Sequence, residues 1–222
     1  MKILVATSNP HKLEEIRAIM VDAEAEIISL NDLALEFPEP VEDQDTFEGN
    51  AVLKAKYYAE RTQMLCMADD SGLEVDILNG EPGVLSARYS GKVGPRKIVD
   101  WANNKLLLQK MKGMAPSKRT GRFVCAMALC DPKKDKPLVE VRGTIEGRIL
   151  TLDECDDVVR PEKGKGDNGF GYDPIFFVPG LGMTTAELTA DQKNRVSHRG
   201  AAAREMARQL VLIQKTQMGE KK

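Results

Sequence analysis

Residues 64–72 read Met-Leu-Cys-Met-Ala-Asp-Asp-Ser-Gly, five apolar side chains running straight into two carboxylates. The apolar run has the length of a buried strand. Two adjacent carboxylates at the end of such a strand are costly unless a base, a metal ion or the amides of a turn compensate them. The segment demands a fold that buries this strand and also finds partners for Asp69 and Asp70.

The flanking sequence supplies more strands and helices in mixed order. Lys2–Ala6 reads as a buried strand, and Pro10–Met20 as a helix with Leu13, Ile16 and Met20 on one face. Glu26–Leu30 reads as another strand. Residues 36–45 are acidic, carry two prolines and form a loop. Thr46–Arg61 reads as a helix with Phe47, Ala51, Ala55 and Tyr58 on one side. Beyond the 64–68 strand, Leu73, Val75 and Ile77 alternate with polar residues, which indicates a further strand.

Gly80–Gly94 reads as a loop. Pro95–Lys112 follows as a helix, with Pro95 at its start and Ile98, Trp101, Leu108 and Met111 on one face. Arg122–Cys130 and Leu138–Leu150 pair around the turn at 131–135. The glycine-rich stretch Gly164–Gly171 leads into the apolar Ile175–Val178. Thr184-Thr185-Ala186-Glu187 has the pattern of a capping box. Ser197 suits the cap of a last helix that turns Met206, Leu210 and Ile213 inward, and the basic tail after Gln214 is expected to fray. This mixture predicts an α/β or α+β class with a mixed sheet. No repeat and no linker divides the chain, so 1–222 reads as a single domain, at most two-lobed.

Charge and cysteine content exclude several functions. The net charge of −2 lacks the basic excess of a duplex nucleic-acid binder. No apolar stretch has the length of a membrane span, and the N-terminal apolar run turns polar at Thr7, too early for a signal peptide. A cytoplasmic protein is expected. The four cysteines form no Cys-x-x-Cys pair and only two histidines accompany them, so reduced core cysteines are expected rather than a zinc site.

Four constellations can carry chemistry. Thr7-Ser8-Asn9-Pro10-His11-Lys12 joins a strand to a helix, where backbone amides and a lysine suit a phosphate; a plain strand–turn–helix with Ser8 or Asn9 as cap is the alternative. Glu42 in the acidic loop and Asp69 or Asp70 after the strand suit a magnesium ion, which takes one or two carboxylates plus substrate phosphates; a solvated acidic loop is the alternative. Asn168-Gly169-Phe170-Gly171-Tyr172-Asp173-Pro174 offers either a base-stacking ring with an acceptor at Asp173 or an irregular turn around a buried phenylalanine. Lys193 and Ser197-His198-Arg199-Gly200 bring donors to a helix N-terminus, where they suit a carbonyl oxygen.

In this order the pieces closely resemble the inosine triphosphatase family, house-cleaning pyrophosphatases for non-standard purine nucleotides. The matching stretches are Thr7 to Lys12, Thr46-Phe47 with Asn50-Ala51, Ala68-Asp69-Asp70-Ser71-Gly72, Pro82-Gly83, Ser86-Ala87-Arg88, Phe170 to Pro174 and Ser197-His198-Arg199. The resemblance implies a long mixed central sheet flanked by helices, two lobes with a deep active-site cleft, and a homodimer. It implies magnesium-dependent hydrolysis of ITP, dITP and XTP to the monophosphate and pyrophosphate. Carried over residue by residue, Thr7, Ser8, Asn9, Pro10, His11 and Lys12 hold the triphosphate, with Lys54 and Arg88 as further phosphate contacts. Asp70 is the catalytic acid and a metal ligand, Glu42 is the other metal ligand, and Ser71 touches substrate. Phe170 stacks on the base, with Gly171, Tyr172 and Asp173 around it and Lys193, His198 and Arg199 completing the pocket.

Two departures from the family pattern stand out. Gly49 occupies the position before Asn50 where the family often has Glu, with Glu48 one residue earlier, and Asp167-Asn168 replaces a more usual pair before Gly169. Two other functions fit the same residues: a pyrophosphatase for modified pyrimidine triphosphates, and a nucleotide sensor without turnover.

Overall fold

In the computed structural model, which describes residues 1–7, 10–23, 25–33, 37–157 and 159–219, seven strands form one mixed sheet. In chain order the elements are β1 (Lys2–Val5), α1 (Pro10–Ile19), β2 (Glu26–Ser29), α2 (Phe47–Thr62), β3 (Cys66–Val75), α3 (Arg96–Lys110), β4 (Thr120–Cys130), β5 (Val139–Ile149), β6 (Phe176–Val178), β7 (Met183–Thr184), α4 (Ala190–Val196) and α5 (His198–Gly219). Short 3-10 turns punctuate them, notably at Gly83–Arg88 and Pro161–Lys163. The strand order is β2-β1-β3-β4-β5-β6-β7. β1 runs parallel to β2, with Lys2 opposite Glu26, and parallel to β3, with Leu4 opposite Cys66. β6 runs antiparallel to β5 and β7. The α/β mixed-sheet class expected from the sequence therefore holds.

The chain divides into two compact units. Unit 1 comprises Met1–Ser71, Cys125–Thr144 and Ser197–Lys222; unit 2 comprises Gly72–Val124 and Ile145–Val196. In unit 1, Ile3 and Val5 of β1, Ile16 of α1, Met67 of β3, Cys125, Met127 and Leu129 of β4, and Ala202, Met206 and Leu210 of α5 form the core. In unit 2, Leu73 and Val75 of β3 pack with Leu107, Leu108 and Met111 around α3, and with Phe123, Ile149 and Phe176.

Local chemistry explains the helix ends. The Thr46 hydroxyl accepts the Gly49 N–H and starts α2; Gln63, at φ 55°, ends it in the left-handed conformation. Ser197 Oγ accepts the Gly200 N–H at 3.0 Å at the start of α5. That helix continues to Gly219. Gly143 of β5 lets α5 approach: a β-carbon there would stand 2.2 Å from the His198 carbonyl oxygen and 2.5 Å from the Ala202 nitrogen.

Three expectations need correction. The apolar run and the later alternation are one strand: β3 is buried almost throughout, so Asp69 and Asp70 lie in its middle, not past its end. The inward face of α3 is Val99, Asp100, Asn103, Asn104, Leu107 and Leu108, while Ile98 is 42% exposed and Trp101 half-buried. Three polar residues at core spacing displaced the face that an apolar count selects. Thr184 does receive the Glu187 carboxylate on its N–H at 2.7 Å, but the pair closes a turn. The box that precedes α4 is Thr189–Gln192, whose side chains reciprocally bond each other's backbone N–H at 2.9 and 3.3 Å.

Candidate active site

Unit 1 gathers the acids. Successive residues of a strand point to opposite faces, so Asp69 and Asp70 meet different partners. Asp69, on the same side as Ser71, receives the Lys12 ammonium at 2.7 Å and the Ser71 hydroxyl at 2.7 Å, and Arg199 Nε lies 4.0 Å away. Burial raises the Asp69 carboxyl, but Lys12, Arg199 and Lys54 outweigh it and hold the group well below the usual carboxylate range. These cations favour the ionised form of Asp69.

Asp70 is set up differently. Asn50 Nδ2 donates to its Oδ2 at 3.0 Å and the Ser71 N–H to its Oδ1 at 3.0 Å, while the Lys54 ammonium stands at 3.6 Å. Burial dominates here and, with Glu42 nearby, raises the Asp70 carboxyl above its ordinary value despite Lys54 and Asn50. Two adjacent acids thus differ in basicity, and the better base is Asp70.

Lys54 bridges two carboxylates, 3.0 Å from Glu42 Oε1 and 3.6 Å from Asp70 Oδ1. Burial works against its charge, but Asp69, Asp70 and Glu42 outweigh it, so the ammonium stays protonated. Asn50, which the sequence reading did not assign a role, is fully buried and joins these parts. Its Nδ2 orients Asp70, and its Oδ1 accepts the Gln44 N–H at 3.1 Å, two residues from Glu42. A buried asparagine in the otherwise apolar row Phe47, Ala51, Ala55 was the available signal.

Glu42 and Asp70 already accommodate one cation, the Lys54 ammonium, and their oxygens suit a hard divalent ion. Among the described residues, no three His, Cys, Asp or Glu side chains gather as a metal cage. An ion here needs ligands from elsewhere, as a phosphate-bound magnesium has. Glu48, one residue before Gly49, has its carboxylate paired with Arg142 at 2.7 Å. The thiols are also unavailable. All four cysteines are buried and unpaired with one another, and burial pushes Cys125 up to about 12 and Cys155 to about 11.

Of the first motif, Thr7 follows β1 and Pro10 and His11 open α1, while Ser8 and Asn9 lie outside the described residues. His198 and Arg199 begin α5 in unit 1, both buried.

Unit 2 gathers the aromatic loop. Asp173 is 4% exposed and its carboxylate is fully used: Oδ2 accepts the Phe170 N–H at 2.8 Å and the Lys193 ammonium at 2.6 Å, and Oδ1 accepts the Thr185 hydroxyl at 2.8 Å. Asp173 therefore acts as the post that fixes Phe170 and Lys193. Lys193 Nζ stands 5.5 Å from the Phe170 ring centre, and the Arg96 guanidinium 5.8 Å. Gly169, at φ 77°, is required in this packing, because a β-carbon would fall 2.1 Å from Asp173 Oδ2. Tyr172 is buried and donates its hydroxyl to the Ser86 carbonyl at 2.9 Å, tying the loop to the turn that carries Arg88. Arg88 itself is exposed.

A family profile settles the kinship: the Ham1 family matches residues 3–209. The chain belongs to the Ham1 family. A Ham1 relative from Exiguobacterium sp., named dITP/XTP pyrophosphatase, is 45% identical over 215 residues, covering 97% of this chain and all of the relative. One of the same name from Shouchella clausii is 45% identical, covering 90% and 92%. Among solved structures, a HAM1 protein from Coxiella burnetii is similar with a TM-score of 0.79 and 34% identity, covering 94% of this chain and 97% of that one. A nucleoside-triphosphatase / dITP/XTP pyrophosphatase from Mycobacterium abscessus has a TM-score of 0.71 and 42% identity, covering 93% and 98%. The Ham1 assignment agrees with the resemblance read from the motifs. Among the described residues, no helix is long and apolar enough to cross a membrane.

Proposed function

We propose that this chain hydrolyses non-standard purine nucleoside triphosphates, ITP, dITP and XTP, to the monophosphate and pyrophosphate. The observation that carries the reading is the arrangement of buried acids and ammonium groups: Asp69 against Lys12 and Ser71, and beside it Asp70 against Asn50 and Lys54, with Glu42 on the same Lys54. The names of the full-length relatives support the substrate class.

In this reading Asp70 accepts a proton from water, and the water oxygen bonds to the α-phosphorus. The bond from that phosphorus to the bridging oxygen breaks, and pyrophosphate leaves with that oxygen. Lys12 and Lys54, each now on a carboxylate, are the cations that stabilise charge on the phosphate oxygens. Glu42 and Asp70 would hold magnesium, which supplies charge neutralisation on the triphosphate. Thr7 to Lys12, Ser71 and Arg88 serve as further triphosphate contacts. Phe170 stacks on the base, with Gly171, Tyr172 and Asp173 shaping its loop. Lys193, His198 and Arg199 offer donors to a purine O6, which an adenine amino group cannot satisfy. A cytoplasmic homodimer completes the proposal.

Pyrophosphate release from ITP, dITP, XTP, GTP, ATP and dTTP, with and without magnesium, tests it. Preferential magnesium-dependent turnover of the first three is expected. Preference for dTTP would overturn the base assignment, and ITP binding without product would make the chain a sensor.

A further inference from the structure

The mechanism leaves the polar face of α3 unexplained. Asp100 and Asn104 are 7% and 1% exposed in a helix whose other inward residues are largely apolar. Four residues apart, they lie on one side of α3. Both reach the same glycine. Asp100 Oδ2 accepts the Gly171 N–H at 3.0 Å, and Asn104 Nδ2 donates to the Gly171 carbonyl at 3.1 Å and to the Glu162 carbonyl at 3.1 Å. Asn104 Oδ1 is buried with no hydrogen-bond partner among the described residues, so only the donor end of the amide is used. Asp100 also holds Arg96, Nε to Oδ1 2.8 Å, the residue whose guanidinium stands by the Phe170 ring.

We propose that Asp100 and Asn104 are positioning residues for base recognition: they grip Gly171 by both its N–H and its C=O and thereby set the Phe170 ring. The inference rests on the reading of Phe170 as the ring that stacks on the base. Phe170 is then fixed from both sides in sequence, by Asp173 at its own N–H and by α3 at the next residue. A stacking ring on a glycine-flanked loop has no intrinsic reason to hold one orientation. Two buried polar side chains holding the peptide groups on either side of the Gly171 α-carbon supply that reason, since moving Gly171 would break one hydrogen bond of a buried carboxylate and one of a buried amide.

The test uses the full chain and two probes, ITP and inorganic tripolyphosphate, the second of which carries no base. Asn104→Asp replaces the donor with an oxygen facing two carbonyls. It is expected to raise KM for ITP roughly tenfold, with the inhibition constant of tripolyphosphate unchanged. Asp100→Asn keeps an oxygen that accepts the Gly171 N–H and should shift KM less than about threefold, whereas Asp100→Ala should behave like Asn104→Asp. If Asn104→Asp does not fold, Asp100→Ala carries the same comparison. Because the effect acts through the ring, adding Asn104→Asp to Phe170→Ala should leave KM where Phe170→Ala alone puts it. An unchanged KM for ITP, equal weakening of both probes, or additivity with Phe170→Ala would overturn the proposal. A Phe170→Ala enzyme with wild-type KM would overturn the stacking reading and this inference with it, while a raised KM in Phe170→Ala alone would remove only the inference.

Discussion

The Asp69–Asp70 cluster of unit 1 and the Phe170 loop of unit 2 both rest on buried polar side chains, yet they are built on opposite plans. In unit 1, charges are set against charges. Lys12, Lys54 and Arg199 stand on two strand residues, and the balance of burial against their fields decides which acid is basic. In unit 2, side chains are set against backbone. Asp173 holds the Phe170 N–H, Asp100 and Asn104 hold the Gly171 peptide, and Tyr172 holds the Ser86 carbonyl. The first plan tunes reactivity and the second tunes shape. Substitutions in the two regions should therefore fail in different parameters.

The largest effect is expected from Asp70→Asn, which keeps the size and shape of the side chain but removes the base. Turnover of ITP should fall by about a thousandfold, with circular dichroism and melting temperature near wild type; retention of a tenth of the activity would assign the proton to another group. Next comes Lys12→Met. It leaves Asp69, whose side chain is only 2% exposed, without its closest cation, and should destabilise the fold by about 3 kcal/mol in urea titration. Pairing it with Asp69→Asn should recover part of that loss, and a melt as low as that of Lys12→Met alone would show that the lysine packs rather than compensates.

Phe170→Ala sharpens the comparison from the other side. Loss of one stacking contact should raise KM for ITP by about 1–3 kcal/mol equivalent, with much less change in tripolyphosphate inhibition. A selective drop in kcat would place Phe170 with the reactive acids. The smallest effect concerns acid stability. Arg148, with the Thr151 backbone assisting, holds Glu154 down to about 2 from 4.5, against the opposing effect of burial. A depressed folded-state pKa stabilises above the unfolded value and is lost as pH falls through the folded one. Thermal melts of wild type and Glu154→Gln should differ modestly at pH 6 and converge as the pH drops from about 5 towards 2. A difference that persists at pH 2 would show that packing, not the ionised carboxylate, carries the contribution.

Much of this was legible residue by residue. The strand-to-helix start, the helix after Thr46, the cap at Ser197 and the inward row Met206, Leu210 follow from periodicity and capping chemistry, which are local. Asp70, Glu42 and Lys54 were legible as a set through the ordered motifs, and the structure brings them together around one ammonium. The place of Asn50 in the apolar row of α2 signalled a buried amide but not its partners, and the polar face of α3 was not legible, because an amide reads the same in sequence whether it faces solvent, the core or a backbone carbonyl.

By itself the sequence determined the α/β class, the family, and which residue types were available for phosphate, metal and base. Only the tertiary structure decided their division of labour. Asp69 and Asp70 are chemically identical neighbours, and what separates them is the alternation of β3, which turns one towards Lys12 and Arg199 and the other towards Asn50 and Lys54. Asp173, legible as an acceptor for a base, proved already satisfied by Phe170, Lys193 and Thr185. Basicity and hydrogen-bond capacity depend on burial and on the three-dimensional position of charges, and neither is carried by residue order alone.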